Sequence, residues 1–172
     1  MVEGQVHRYP LMWRILHWLS ALIILWAMGS GFYILLAQPS EEVIHTIADF
    51  NVSITLLFVP VFIIRLVVTH LFEKPSTPQL CDRQQQLAHR VHVLMYWMVS
   101  VVLITGVLMM DRTMNVFGWF ELNSVFSAGI ITESFFTLHR AANILLTLLL
   151  LGHVLAVIKH QWNGVPILRK MI

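Results

Sequence analysis

The hydrophobic pattern of the chain is dominated by four long apolar stretches that are separated by more polar connections. They cover approximately residues 11–36, 43–71, 88–110 and 134–158. A helix needs about 20 mostly apolar residues to cross the hydrocarbon core of a bilayer, and each stretch is long enough. Because the backbone must satisfy its own hydrogen bonds in lipid, each stretch is predicted to be helical. The pattern therefore predicts an all-α membrane protein, a four-transmembrane-helix bundle in one domain over residues 1–172.

The polar connections differ in length and character. Residues 37–42 form a short link, and residues 72–86 (FEKPSTPQLCDRQQQ) are predicted to form a loop because they are polar and include two prolines. The third connection, residues 111–133, is longer. Its aromatic run at 116–120 (VFGWF) is typical of a segment that lies at the membrane interface.

Composition and charge support the membrane class and predict an orientation. The chain is 58% hydrophobic and 12% charged, whereas soluble domains carry about 25% charged residues. The net charge of +2 gives no indication of a nucleic-acid partner. Lysine and arginine favour the cytoplasmic side of membrane proteins, and nine of the eleven here lie on one predicted side, so both termini are predicted to be cytoplasmic. The nine are Arg8, Arg14, Arg65, Lys74, Arg83, Arg90, Lys159, Arg169 and Lys170, against Arg112 and Arg140.

Nine histidines are many for so apolar a chain. Ionisable groups in membrane helices usually face the bundle interior and mark cofactors or proton paths, and a neutral imidazole nitrogen binds haem iron. His139 and His153 in the fourth helix are 14 residues apart, nearly four turns, so they share a face at a separation of about 21 Å. This separation suits two haems, one towards each membrane surface. Zinc fits less well, because there is no cluster of closely spaced Cys and His ligands.

The same 14-residue interval recurs on the first and third helices. His17 pairs with Gly31, and His92 pairs with Gly106. A glycine that faces the bundle core leaves space for a flat macrocycle, as small residues do for close helix packing. The pattern predicts an inner haem b with His17 and His153 as its ligands.

The predicted outer site is less complete than the inner one. In the second helix, the position 14 residues before Arg65 is Asn51, and His45 lies six residues earlier, about 9 Å further along the axis. His139 therefore has two imperfect partners. Three alternatives stay open: His45 ligates the outer haem after a local distortion, the haem is five-coordinate, or it is absent.

Other charged residues allow more than one interpretation. Arg65 lies near the inner level, where it can pair with a haem propionate or extend to the lipid headgroups. Arg112 and Arg140 on the outer side can attract an anion such as superoxide. A single membrane histidine often only hydrogen-bonds a neighbouring helix. A protein without a cofactor, which uses its histidines for packing or proton transfer, is therefore a further alternative.

Several short segments resemble the bacterial cytochrome b561 family of small four-helix di-haem proteins of the inner membrane. They are Leu16-His17-Trp18-Leu19, residues 87–96 (LAHRVHVLMY), residues 116–120 (VFGWF), and His139 and His153 followed by His160-Gln161-Trp162. The resemblance extends over essentially the whole chain. It implies a multi-pass protein of the bacterial inner (cytoplasmic) membrane that exchanges electrons with ubiquinone or menaquinone.

The resemblance also implies roles for individual residues. His17 and His153 would bind the cytoplasmic-side haem, and His139 would bind the outer one. His92 and His160 would lie near a quinone-binding region. This chain departs from the family in the second helix, where the family's histidine aligns with Asn51. Two haems are thus expected from the family, and one follows from the residues of this chain.

Two functions follow from these expectations. The first is electron transfer through haem b to or from membrane quinone, and because some family members are similar to superoxide oxidases, this includes a superoxide:quinone oxidoreductase. The alternative is the membrane cytochrome b subunit of a larger hydrogenase- or dehydrogenase-type complex. In that case the outer aromatic loop would dock a periplasmic electron donor or oxidoreductase subunit.

Overall fold

The computed structural model describes residues 8–72 and 80–172. Its long helices are α1 (Leu11–Ala37), α2 (Glu41–Leu71), α3 (Asp82–Leu108) and α4 (Ile130–Trp162). All four are long and apolar enough to cross a membrane, which confirms the predicted number of spanning helices. Lys74 and the rest of residues 73–79, within the predicted loop at 72–86, lie outside the described residues.

Two helices are longer than their apolar stretches predicted. Helix α3 begins at Asp82, within the predicted loop, and α4 extends beyond residues 134–158 at both ends. For α3 the predicted start was wrong because hydropathy marks the part of a helix that lies in lipid, whereas the arginine and glutamines at residues 83–86 are good helix formers in water. The α3 start is also capped, since the Cys81 amide donates to Gln84 Oε1 at 3.2 Å.

The third connection folds into a β-hairpin that the sequence did not predict. Strands β1 (Met114–Val116) and β2 (Phe120–Leu122) are antiparallel, and Phe117 and Gly118 turn between them with φ of 50° and 76°. The aromatic run at 116–120 therefore forms the tip of a hairpin. Buried Ser53 of α2 donates to the Asn115 carbonyl at 3.3 Å, which holds the hairpin against that helix.

The buried core lies halfway along the spanning helices. It contains Phe58, Phe62, Val99 and Leu146, with Ile24 packed against it. Phe58 lies midway between Asn51 and Arg65, seven residues from each. The midpoints of the 14-residue intervals on the other three helices are Ile24, Val99 and Leu146. The core therefore keeps the four intervals in register.

The helices pack as two pairs. Helix α1 packs on α2 and α3 on α4, and the pairs join through α2 and α3. Within the described residues, close backbone approaches between α1 and α4 are few at most. The short helix α5 (Ile167–Met171) returns to the start of α1, where the Tyr9 amide donates to the Lys170 carbonyl at 3.0 Å and Trp18 Nε1 to the Met171 carbonyl at 2.9 Å.

Candidate cofactor site

Predicted site residues gather at two levels of the bundle, one on each side of the core. We call the level of His17, Arg65, His92 and His153 the inner level, after the predicted orientation. The outer level comprises Gly31, Asn51, Gly106 and His139.

The inner level connects α1 to α2 through one polar contact. Arg65 Nη2 lies 3.0 Å from His17 Nδ1, and the guanidinium also lies over the Tyr96 ring at 5.5 Å from its centre. Arginine only donates hydrogen bonds, so His17 Nδ1 accepts, and a neutral His17 ring in this contact carries its proton on Nε2.

On the other side of the inner level, α3 and α4 bring two histidines together. The His92 and His153 rings meet edge to face with their centres 5.1 Å apart, and both lie within electrostatic range of His17. His92 Nδ1 lies 2.6 Å from the Ala88 carbonyl. Because a carbonyl only accepts, Nδ1 holds the proton of the neutral His92 ring and Nε2 is its basic nitrogen.

A cavity of about 240 Å³ opens at the inner level. His17, Arg65 and His92 line it, together with hydroxyl, amide and aromatic side chains, and none of the described lining residues is a carboxylate. His160 is not among the lining residues. The other lining residues that can hydrogen-bond through their side chains are Tyr9, Trp13, Thr69, Gln85, His89 and Tyr96.

Sequence reasoning did not single out most of these lining residues, although a signal for them exists. Trp13 and Tyr96 lie four residues from His17 and His92, and Thr69 lies four residues from Arg65. Residues four apart lie on the same helix face. Tyr9, just outside α1, adds a phenol that stays neutral, since burial and the nearby Tyr96 raise its pKa.

The outer level contains an amide where the inner level has a guanidinium. Asn51 Nδ2 donates to Ser30 Oγ at 2.8 Å, and Trp26 Nε1 donates to Asn51 Oδ1 at 3.1 Å. These bonds connect α2 to α1. His45 is exposed nearer the start of α2.

His139 lies against α3 at the outer level. Its Nδ1 is 3.1 Å from both the Val102 carbonyl and Thr105 Oγ1. Its Cε1 would be 3.3 Å from a Cβ added to Gly106, whereas a Cβ on Gly31 would meet nothing within 4 Å. Gly106 therefore makes room for the His139 ring, whereas Gly31 is exposed and has open space around it.

The two outer arginines that were predicted to attract an anion already have partners. Arg112 Nη2 forms an ion pair with Asp49 Oδ1 at 2.6 Å. The Arg140 guanidinium lies 5.6 Å from the centre of the Phe136 ring. The ion pair offsets the positive charge of Arg112, whereas Arg140 keeps its full charge next to the neutral Phe136 ring.

The inner level fits a haem, whereas the outer level does not fit a haem with two histidine ligands. Haem iron can be held by two imidazoles, and His17 and His153 stand on α1 and α4, helices with few close backbone approaches between them among the described residues. At the outer level, the α2 position 14 residues before Arg65 is Asn51. Its side-chain amide is hydrogen-bonded to Ser30 of the neighbouring helix α1. Among the described residues, no three His, Cys, Asp or Glu side chains form a site for a free metal ion.

Comparison with known proteins agrees with this chemistry. A family model described as prokaryotic cytochrome b561 matches residues 8–172, which is nearly the whole chain. No curated protein matches the chain.

Proposed function

The chain belongs to the prokaryotic cytochrome b561 family, a membrane family that transfers electrons through haem b, and we propose that it exchanges those electrons with the quinone pool at the inner level. The observation that carries this proposal is the convergence of Arg65 and three histidines on one side of the bundle, beside a cavity rich in hydrogen-bond donors. The predicted cytoplasmic termini and inner-membrane location remain part of the proposal.

His17 and His153 would hold the haem through their imidazole nitrogens. The bound haem supplies one-electron chemistry, since its iron alternates between ferric and ferrous states. To bind iron through Nε2, His17 needs a lone pair on that atom, so its proton must move to Nδ1. In this structure Nδ1 is the atom that accepts from Arg65. Haem binding therefore requires Arg65 to leave His17. The released guanidinium is then available for a propionate carboxylate, a partner that arginine binds with two parallel hydrogen bonds.

The cavity beside these ligands suits a quinone headgroup. A quinone presents two carbonyl acceptors on a flat ring and takes up two protons when it is fully reduced. The Tyr9, Thr69 and Tyr96 hydroxyls supply donors. His92 supplies a basic Nε2 that can relay a proton, because its Nδ1 proton is committed to the Ala88 carbonyl. Because the His92 and His153 rings meet edge to face, the proposed relay would lie next to a proposed haem ligand.

The test uses the purified chain in lipid nanodiscs, reduced with dithionite and then mixed with a short-chain ubiquinone or menaquinone. The haem should reoxidise on adding quinone. We expect His92→Ala to slow this reaction by roughly tenfold or more, the low end of what a positioned acid–base group contributes, with the haem content unchanged. His70→Ala is the matched control, since His70 makes the same contact to a carbonyl four residues back, at 2.8 Å, and does not line the cavity.

The outcomes separate the parts of this proposal. Absence of haem after haem-supplemented expression would contradict electron transfer itself. Haem that is present but is not reoxidised by either quinone would contradict quinone exchange alone. An equal effect of the His70 and His92 variants would exclude a specific role for His92.

The exposed hairpin tip favours a second candidate, a membrane cytochrome b subunit of a larger oxidoreductase. Trp119 and Phe120 are 72% and 53% exposed, and aromatic residues are common at the centres of protein interfaces. Mild solubilisation of native membranes followed by native electrophoresis separates the candidates. A haem-containing band that shifts to lower mass in Trp119→Ser would support the subunit role.

A further inference from the structure

The outer level has a firm polar connection between α1 and α2. Asn51 uses both ends of its amide there, with Nδ2 donating to Ser30 Oγ and Oδ1 accepting from Trp26 Nε1. The Ser30 hydroxyl also lies 3.1 Å from Asn51 Oδ1. An amide nitrogen has no lone pair available for a metal, and the amide oxygen already has two neighbours. Asn51 is therefore held as a structural residue and offers no axial ligand.

Opposite Asn51, the outer level has one imidazole suited to ligation. The Val102 carbonyl fixes the proton of a neutral His139 on Nδ1, which leaves the lone pair on Nε2. The ring is also held in place by Thr105 and by the space at Gly106. The α3–α4 side thus provides one ligand, and the α1–α2 side provides none at this level.

His45 cannot replace Asn51 without breaking other contacts. It lies six residues earlier in α2, about 9 Å along the axis, and its side chain is exposed. The helix between and just beyond these positions is fixed to the hairpin in three places. Asp49 pairs with Arg112, Phe50 packs edge-on against Phe117 at 5.8 Å, and Ser53 donates to Asn115. Unwinding α2 to lower His45 would disrupt these contacts.

We propose that this chain carries a single haem, at the inner level, and that the Trp26–Asn51–Ser30 cluster closes the outer level to a second one. The inference rests on the proposed function, because it presumes the inner haem. Electrons would then enter and leave on the same side of the membrane. A route from an outer donor such as superoxide through two haems would be interrupted at Asn51.

The first test is the haem content of the full chain purified in detergent after expression with excess haem precursor. Pyridine haemochrome should give one haem b per chain, and electron paramagnetic resonance should show one low-spin ferric species. Two haems, whether low-spin or with one high-spin and five-coordinate, would overturn the proposal. Absence of haem would overturn the proposed function as well, so the two failures are distinguishable.

The second test restores a ligand at the outer level. Asn51→His should raise the haem content from one to two per chain, and adding His139→Ala should return it to one. Asn51→Gln is the matched control, since it changes side-chain size without adding a ligand, and it should stay at one. The inner low-spin signal shows that each variant is folded. If Asn51→His stays at one haem while that signal persists, Asn51 is not the residue that closes the site.

Discussion

The inner and outer levels have the same framework and different chemistry. Each takes one position from each of the four spanning helices, and the two sets are 14 residues apart with the buried core midway between them. At the inner level the positions are three histidines and an arginine, next to a cavity. At the outer level they are two glycines, an amide and one histidine. The regular spacing fixes where a cofactor can lie, and the side chains at each level decide whether one binds.

The difference also appears in how α1 and α2 are connected at each level. At the inner level α1 and α2 meet through Arg65 and His17, a contact that the proposed ligation of a haem by His17 would open. At the outer level they meet through Asn51, which accepts a hydrogen bond from Trp26 and donates one to Ser30. One contact is therefore exchangeable and the other is structural.

The largest expected effect is the difference in haem content between alanine variants of His153 and His139, which lie on the same face of α4. His153→Ala should reduce bound haem by at least roughly tenfold, since it removes a proposed axial ligand. His139→Ala should leave haem content unchanged and lower stability by about 1 kcal/mol, the order of an interhelical hydrogen bond in a membrane. Haem content and thermal unfolding in detergent measure both. An equal loss of haem in the two variants would contradict the difference between the levels.

A smaller effect compares an arginine from each level. Arg65→Gln should weaken haem retention by roughly tenfold, because charge-assisted hydrogen bonds contribute about 1.5–3 kcal/mol. Arg112→Gln should leave haem unchanged and cost at most about 1 kcal/mol of stability, as expected for a partly exposed ion pair. Haem transfer to apomyoglobin measures retention in both. Equal retention by wild type and Arg65→Gln would exclude a role for Arg65 in haem binding.

Much of the fold could be predicted from the sequence, because lipid allows few backbone structures. The four spans follow from apolar length alone. The start of α3 at Asp82 could not be found in this way, since residues outside the lipid form helix without an apolar signal. The hairpin was also missed, because its strands are only three residues each and depend on contacts with α2.

The candidate site was predictable in its levels and less so in its contacts. The spacing marked His17, Asn51, Arg65 and His139 from the helix repeat alone. It could not reveal that Ser30 and Trp26 bond to Asn51, since those residues lie 21 and 25 positions earlier on another helix. Nor could it reveal that Arg65 reaches His17, because the long arginine side chain has several partners within its range.

The smallest expected effect compares the two outer glycines. Alanine forms helix better than glycine by about 1 kcal/mol, and Gly31→Ala should realise this gain because its Cβ meets nothing within 4 Å. In Gly106→Ala the new Cβ would lie 3.3 Å from His139 Cε1, so the ring must shift and its bond to Val102 must weaken. The gain should then be cancelled or reversed. Thermal unfolding of the two variants should place Gly31→Ala above wild type and Gly106→Ala at or below it, with equal haem content. A loss of haem in Gly106→Ala alone would indicate that His139 ligates a haem after all, because the substitution changes nothing at the inner level.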